Sequence, residues 1–312
     1  MTKICFIGDI HGKMFSPQDR LTDYNNDLFN QMIWVRDYCN DNNINVIVHL
    51  GDIFDKPEAS DSWKNRFIEI WKDFNGKFYS IIGAAHDLFY NNEKSFNKTC
   101  LRNLELSGVL EVLDDKQIVI DNVHLISLSI NVTKAKKDIK SIELSNNQYN
   151  IFVAHQFYEW GLDRKSGFTS YDLSKVDVPC SLILGHDHHQ YDNVVCGNVT
   201  IYRPGSFMRT ELSEETIKMT PRILIFDDGK FNYINVGCSR KIDEIYNVSE
   251  YRLRKSNTRV FSQIENTIKD LENYLHNDDT IIPCSKALKE LKCPEPEYNY
   301  LKSIYSICNQ PF

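Results

Sequence analysis

Apolar residues along the first hundred positions follow two different periods. Short runs that are almost unbroken, such as Ile44 to Leu50, predict strands that are covered on both faces. Between these runs, apolar side chains recur every three or four positions, from Leu28 to Cys39 and again from Trp63 to Phe74, which predicts two helices. This part of the chain therefore predicts alternating strands and helices, with further strands at 3–7 and 78–82.

From about residue 108 onward, β-rich runs follow one another closely. They predict strands at 109–113, 117–120, 124–130, 151–154, 181–185, 199–203, 223–226 and 231–236. A second sheet packed on the first accounts for this number of strands. We therefore predict an α/β fold, a two-sheet sandwich flanked by helices.

The pattern changes again near residue 240. A locally basic stretch is followed by apolar side chains at helical spacing from Val260 to Leu275, and two shorter helical patterns lie at 285–291 and 298–308. We therefore predict two parts, a domain at 1–240 and a small C-terminal helical appendage at 241–312.

The composition is that of an ordinary globular protein. Of 312 residues, 42% are hydrophobic and 25% are charged, which excludes collagen-like and disordered chains. No apolar run reaches the ~20 residues of a membrane span, and the N-terminus lacks the layout of a signal peptide. We expect a soluble, cytoplasmic protein whose nine cysteines, without a CxxC pair, stay reduced. The net charge of −7 argues against wrapping nucleic acid by bulk electrostatics but leaves a local contact open.

Polar side chains that can bind metal ions follow five of the predicted strands. They lie in the segments GDIHG, GDIFD and GAAHD, at the histidine after IFVA, and in GHDHH. In open α/β sheets, sites form at the carboxyl ends of strands. A histidine alone is more often a structural residue, but five such loops together predict convergence on one point. The residues are Asp9, His11, Asp52, His86, His155, His186 and His188.

These residue types point to a particular chemistry. Imidazole together with carboxylate suits Mn, Fe or Zn, and a carboxylate shared by two ions holds them ~3.5–4 Å apart for in-line displacement at phosphorus. The Asp-x-His spacing places Asp9 and His11 on one face of an extended segment. The same spacing applies to His186 and His188, although a turn there would direct them to different ions. The sequence therefore predicts a dinuclear phosphoesterase.

The five motifs, in this order, resemble those of the calcineurin-like metallophosphoesterases, which are DxH, GD, GNH, H and GHxH. The resemblance implies that Asp9, His11 and His188 hold one ion, that Asp52 bridges, and that His155 and His186 hold a second ion. It also implies that His86 is the catalytic histidine, which donates a proton to the leaving oxygen or stabilises the transition state.

Within that superfamily the chain resembles the SbcD-type recombination nucleases. The likeness is in GDIFDKPEAS and in IYRPGSFMRTELSEE, and in the position of the helical tail, which in that branch caps DNA and binds a partner. It implies a DNA substrate, an SMC-like ATPase subunit, a homodimer, and two divalent ions with Mn²⁺ expected before Mg²⁺, Fe or Zn²⁺. The 29 asparagines and six alanines are compatible with an AT-rich genome such as that of a phage, in which case the protein acts in the host cytoplasm.

One motif is altered. By the resemblance, the residue before His86 is an asparagine that binds the second ion, but here it is Ala85, whose side chain has no oxygen. Since alanine occurs only six times in the chain, we favour an engineered substitution at this position over a natural variant with an altered or single-metal site. An engineered substitution predicts that the second ion binds more weakly and that turnover collapses while the fold persists.

Four further residues are candidate DNA contacts. Asp55 stands where some members of the branch have a histidine, and His189 follows the last motif. Arg203 and Arg209 flank the loop that contains PGSF. A basic run from Lys134 to Lys140 has a solvated helix face as its default interpretation.

We therefore expect a metal-dependent exo- or endonuclease that acts on DNA ends in recombination and repair. Two alternatives stay open: a phosphodiesterase or phosphatase of the same fold with a small substrate, and a catalytically silent scaffold that binds DNA ends.

Overall fold

The computed structural model describes residues 2–17, 19–145, 147–159 and 167–256, together with residues 262, 266, 295, 298, 299 and 302. One six-stranded sheet is built around parallel strands from the first part of the chain. Its order is β14-β13-β1-β2-β3-β4, in which β1 to β4 are parallel and β13 is antiparallel to β1. The strands are β1 (Lys3–Ile7), β2 (Val46–His49), β3 (Lys77–Ser80), β4 (Glu111–Val112), β13 (Arg222–Asp227) and β14 (Lys230–Asn235).

A second six-stranded sheet has the order β11-β12-β10-β7-β6-β5. Its four central strands, β12, β10, β7 and β6, are parallel. A separate pair of short parallel strands, β8 and β9, completes the strands of the described residues. The strands are β5 (Gln117–Ile120), β6 (Val123–Ser127), β7 (Tyr149–His155), β8 (Phe157–Glu159), β9 (Gly167–Thr169), β10 (Cys180–Gly185), β11 (Val194–Cys196) and β12 (Val199–Tyr202).

Helices connect the strands and begin at polar capping residues. Asp23 accepts a hydrogen bond from the backbone N–H of Asn26 at the start of α1, and Ser60 accepts one from Trp63 at the start of α2. Two short 3₁₀ segments lie at Phe89–Asn91 and Glu93–Lys98, and residues 248–256 are helical. The α-helices are α1 (Tyr24–Asp41), α2 (Asp61–Trp71), α3 (Cys100–Leu106), α4 (Val132–Ser141), α5 (Ser170–Leu173), α6 (Glu214–Lys218) and α7 (Ile242–Ile245).

The core has three apolar layers. The central layer contains inward-facing residues of both sheets, such as Phe6, Val153 and Ile183. On the outer face of the first sheet, α1, α2 and α3 contribute Leu28, Phe67 and Leu101, respectively, to a larger apolar cluster. A third cluster lies between the second sheet and α4 and α5. Because both faces of each sheet are covered, their central strands are apolar along most of their length, as the sequence pattern predicts.

The two-sheet sandwich flanked by helices confirms the predicted fold class, and most predicted strands agree within one or two residues. The predictions missed β8, β9 and β11, which have only three residues each. Of the helical patterns predicted from Val260 onward, the structure describes only residues 262, 266, 298, 299 and 302, each of them helical, and the other residues lie outside the described part of the chain. The chain divides into two compact units, Met1–Tyr246 and Asn247–Phe312, and the functional division near residue 240 stays a prediction. Within the described residues, every helix is too short or too polar to cross a bilayer.

We expect Phe67→Ala to be strongly destabilising. Phe67 is fully buried, and its ring centroid lies 5.7–6.1 Å from the ring centroids of Trp63, Trp71 and Phe78. Truncating such a residue costs about 3–5 kcal/mol of unfolding free energy. Phe15→Ala is the matched control, because Phe15 is 79% exposed and should change the unfolding free energy by less than about 0.5 kcal/mol. Urea denaturation measures both, and equal effects would contradict the packing described.

Candidate metal centre

The strand-end loops of both sheets meet at one edge of the sandwich. Asp9 and His11 follow β1, Asp52 follows β2, and His86 follows β3, all in the first sheet. From the second sheet, His155 is the last residue of β7, and His186 and His188 follow β10. The convergence predicted from the sequence is therefore present, although the two sheets pair no strand with each other.

The first group of donor atoms comes from Asp9, His11 and His188. The Nε2 atoms of His11 and His188 are 2.8 Å apart, and His188 Nε2 is 3.5 Å from Asp9 Oδ2. The three donor atoms all lie within 4.8 Å of one another. One divalent ion can bridge side chains at these separations.

Asp52 and His11 connect this group to the others. Asp52 forms a second group with His155 and His186, in which Asp52 Oδ2 is 3.2 Å from His155 Nε2. It forms a third with His11 and His86, in which Asp52 Oδ2 is 3.7 Å from His11 Nε2. Asp52 thus lies between the two outer groups, which is the position of a bridging carboxylate.

Three of the donor residues have a left-handed backbone. The φ angles are 47° for His11, 60° for Asp52 and 78° for His186. Residues other than glycine adopt this conformation at a cost of order 1–3 kcal/mol, and such strain clusters at functional sites. The turn at His186 sends it to the group of Asp52, whereas His188 joins the group of Asp9. The turn that the sequence analysis considered as an alternative is therefore present, and it directs His186 and His188 to different donor groups.

Hydrogen bonds hold the converging loops together. The Asp9 carboxylate accepts a hydrogen bond from the backbone N–H of His186, with an N–O distance of 3.0 Å to Oδ2. The Asp52 carbonyl accepts one from the N–H of His11 at 2.9 Å. The Leu50 carbonyl lies 2.8 Å from Nδ1 of His155, which therefore carries a proton and donates a hydrogen bond to it, so that Nε2 is directed at Asp52. Each contact fixes a donor residue from a neighbouring loop.

Asp87 is a supporting residue to which the sequence analysis assigned no function. Its Oδ2 accepts hydrogen bonds from the backbone N–H groups of Asp52, at 2.9 Å, and Gly83, at 2.7 Å. Burial and the nearby Asp52 carboxylate raise the pKa of Asp87 to about 7. Its position directly after His86 was the available signal, but only the fold shows that it holds the backbone of Asp52.

The electrostatics of the centre favour a bound cation. Burial opposes ionisation of Asp9, yet the neighbouring histidines, His155 first, lower its pKa below the usual value. Burial also opposes protonation of His155, but the carboxylates of Asp52 and Asp9 outweigh it and raise the pKa of His155 to about 10. Burial lowers the pKa of His11 to about 4, so its imidazole is neutral at neutral pH. The carboxylates thus attract positive charge, and neutral imidazole is the form that binds metals.

The donor set fits divalent ions. Asp52 Oδ1 and His155 Nε2 are buried and lack a well-aligned hydrogen bond, although buried polar atoms usually have a partner. A bound ion would provide that partner for both. Oxygen and imidazole nitrogen together are the ligands of Mn, Fe and Zn.

Comparison with known families agrees with this arrangement. The family model of the calcineurin-like phosphoesterases matches residues 2–190, which is more than half of the chain. The chain belongs to the calcineurin-like phosphoesterase family. This confirms the predicted family, and the matched range contains all seven motif residues named above.

One similar protein is the "DNA double-strand break repair protein Mre11" of Sulfolobus acidocaldarius. It is 24% identical over 266 residues, a match that covers 81% of this chain and 65% of the relative. The match thus spans slightly less than two thirds of the length of that Mre11 protein. The match supports the predicted likeness to the SbcD branch.

Two solved structures to which the chain shows a low similarity are a dimetal phosphatase from Danio rerio and a protein of Thermus thermophilus. The first is 10% identical, with a TM-score of 0.46, and the match covers 76% of this chain and 99% of the phosphatase. The second is 10% identical, with a TM-score of 0.46 and coverage of 75% and 99%.

His86 lies at the edge of the candidate metal centre, and Ala85 directly precedes it in the chain. Ala85 is exposed, and alanine itself supplies no donor atom. His86 is half-buried, and its Nδ1 is 2.7 Å from the carbonyl oxygen of Asp55. Since a carbonyl oxygen only accepts, Nδ1 of His86 carries a proton.

The predicted DNA contacts divide into two pairs. Asp55 lies beside the centre, with Oδ1 2.5 Å from Lys13 Nζ and 4.0 Å from His11 Nδ1. His189 is exposed, with Nδ1 3.0 Å from Asp187 Oδ1. Both stay candidates.

The structure argues against the prediction that Arg203 and Arg209 contact DNA, because these residues are only 4% and 6% exposed. The Arg209 guanidinium donates to the carbonyl oxygens of Met219 and Arg240, and that of Arg203 donates to the carbonyl of Asp192. Both arginines therefore stabilise loops and do not present their charge to a DNA backbone. The sequence shows the charge but not these carbonyl partners.

The basic run on α4 lies on a solvated helix face, which was its default interpretation from the sequence. Lys134 pairs with Asp115 and Asp138, while Lys136 and Lys140 pair with Asp172. These lysines therefore form ion pairs on a solvated helix face.

We expect Gly83→Ala to weaken metal binding at least 10-fold. A Cβ atom at Gly83 would lie 1.9 Å from Asp52 Oδ1 and 2.6 Å from the Asp52 backbone nitrogen, so the carboxylate must move. Isothermal titration with Mn²⁺ measures the loss. Gly108→Ala is the matched control: Gly108 has a positive φ, 77°, but a Cβ atom added there would meet no atom within 4 Å. The control should lose stability through backbone strain and keep its metal affinity; unchanged affinity in Gly83→Ala would contradict the assignment of Asp52.

Proposed function

We propose that this protein is a metal-dependent phosphodiesterase that cleaves DNA at or near its ends. The observation that carries the proposal is the chain of three donor groups joined through Asp52 and His11. Such a chain can hold two ions that share one carboxylate, and paired ions of this kind serve displacement at phosphorus.

In this proposal, each residue keeps the role that the family resemblance gives it. Asp9, His11 and His188 would hold one ion, His155 and His186 would hold the other, and Asp52 would bridge them. Mn²⁺ is the expected ion, with Mg²⁺, Fe and Zn²⁺ as alternatives. When bound, the ions would supply Lewis-acid stabilisation of the charge that develops on the phosphoryl oxygens.

His86 would act as the general acid. Its Nδ1–H donates a hydrogen bond to the Asp55 carbonyl oxygen, which fixes the ring and would leave Nε2 as the atom that faces a substrate. The edge of the His86 ring meets the His11 ring, with 4.6 Å between centroids, so the imidazole lies next to the candidate ligands. A proton on Nε2 can pass to the leaving oxygen of the broken phosphodiester.

DNA as substrate rests on two supports. The chain resembles the SbcD-type nucleases in its motifs, and the relative at 24% identity is named for DNA double-strand break repair. By the same likeness we propose a homodimer and a partnership with an SMC-like ATPase in an intracellular compartment. The acidic net charge of −7 does not oppose this role, because bound cations would lie between the carboxylates and the phosphate.

A nuclease assay on linear duplex DNA with Mn²⁺ tests the proposal. Because Ala85 offers no donor, we expect the chain to bind about one ion and to cleave slowly. Ala85→Asn restores the amide oxygen of the family motif, so it should raise bound Mn²⁺ to about two per chain and increase cleavage at least 10-fold. Ala84→Asn, which adds the same amide one residue earlier, is the control and should give no gain.

If Ala85→Asn changes neither the bound metal nor the rate, the role of position 85 is wrong. If it fills both metal positions and still cleaves only bis-p-nitrophenyl phosphate, the small-substrate phosphodiesterase is correct. The lack of a donor atom at Ala85 specifically favours the second alternative, a catalytically silent scaffold that binds DNA ends. In that case DNA binds but neither form cleaves either substrate.

We expect His86→Asn to lower kcat about 100-fold or more, as loss of a general acid does. Bound Mn²⁺, measured by mass spectrometry of the desalted protein, should remain unchanged because the proposed ligands are intact. The Ala85→Asn form is the background for this test, since its rate is higher. Loss of metal together with activity would show that His86 is a ligand instead.

A further inference from the structure

A cavity of about 710 Å³ opens beside the candidate metal centre. His186 and His188 belong to its wall, so the cavity is continuous with the proposed site of cleavage. It extends from β10 toward α6 and contains Phe157 and Tyr191. A volume of this size accommodates a nucleotide-sized group.

Tyr191 forms a fixed aromatic surface in this cavity. The guanidinium carbon of buried Arg203 lies 3.9 Å from the centroid of the Tyr191 ring, which covers one face of the ring. Arg222 donates a hydrogen bond to the Tyr191 carbonyl at 3.2 Å, which fixes the backbone. Tyr191 nevertheless remains 40% exposed. The arginine that the sequence suggested for DNA therefore supports a ring that is itself accessible.

A second aromatic side chain lines the same cavity. The Phe157 ring is half-buried, and its centroid is 4.1 Å from that of His186. Phe157 thus places an apolar surface directly beside a candidate metal ligand. Aromatic rings on the wall of a cleft are suited to stacking against flat, apolar faces.

The charge of the cavity disfavours a second phosphate as its occupant. Its wall has three carboxylates, Asp187, Glu211 and Glu215, and one lysine, Lys218, besides its three histidines. Carboxylates repel phosphate, but they accept hydrogen bonds from amino groups such as N4 of cytosine. Aromatic rings combined with acceptors match a nucleobase.

We propose that this cavity binds an unstacked nucleobase of the substrate strand, stacked on Tyr191, while the adjoining phosphate lies at the metal centre. The inference rests on the proposed function, because it takes the metal centre as the position of the phosphate. Stacking on an aromatic side chain tolerates every base, so the subsite selects an unpaired nucleotide and not a sequence.

Binding of three mononucleotide probes to the full chain in Mn²⁺ tests the proposal. The probes are deoxycytidine 5′-monophosphate, thymidine 5′-monophosphate and 2-deoxyribose 5-phosphate, which has the same sugar and phosphate but no base. We expect both nucleotides to bind about 10-fold more tightly than the sugar phosphate in isothermal titration. Equal affinity for all three would overturn the proposal without any variant.

Variants assign the preference to Tyr191. Tyr191→Ala should reduce the preference for the nucleotides to less than about 2-fold, whereas Tyr191→Phe should keep it because the ring remains. Tyr171→Ala is the matched control. Tyr171 is 51% exposed with Lys175 Nζ 3.7 Å from its ring centroid, but it lies outside the cavity. A preference that survives in Tyr191→Ala would overturn the assignment.

The proposed function is tested separately, with bis-p-nitrophenyl phosphate and duplex DNA on the Ala85→Asn form. A base preference without hydrolysis would reject the nuclease and keep the subsite. Hydrolysis without a base preference would support the nuclease and reject the nucleobase subsite.

Discussion

The structure depends on the close approach of loops from two sheets that share no strand pairing. The hydrogen bond from the backbone N–H of His186 to the Asp9 carboxylate joins those sheets at the metal centre. Glycines make the approach possible: a Cβ atom at Gly185 would lie 2.3 Å from the Leu50 carbonyl oxygen, and one at Gly8 would lie 1.9 Å from that of Gly205. The motif glycines are therefore required by packing, and the metal ligands are placed by the same contacts.

Charge then determines what such an approach can be used for. Buried carboxylates at Asp9 and Asp52 are stable only with positive charge nearby, and His155 supplies it in the described structure, with a pKa raised to about 10. Bound divalent ions would supply a stronger positive charge than protonated His155 does. Metal binding would therefore release the extra proton of His155. The left-handed backbone at His11, Asp52 and His186 is the conformational cost of placing these side chains together.

Much of this arrangement could be predicted from the sequence. Unbroken apolar runs identified the central strands, and the position of Asp52, His155 and the other motif residues after those runs predicted one site. Contacts between distant segments could not be predicted: β13 lies beside β1, and the Leu50 carbonyl orients His155. Arg203 and Arg209 were misassigned because positive charge is visible in a sequence, whereas carbonyl partners and burial are not. The helical patterns after Val260 stay predictions, because most of their residues lie outside the described part of the chain.

Anomalous diffraction from crystals grown with Mn²⁺ is the most direct test of the central claim, that Asp52 bridges two ion positions. The account predicts a strong peak among Asp9, His11 and His188, and a second peak among His155 and His186 that is weaker because Ala85 provides no oxygen. The two peaks should lie ~3.5–4 Å apart with Asp52 between them. The absence of a peak beside Asp52, or manganese bound only elsewhere on the protein, would contradict the account.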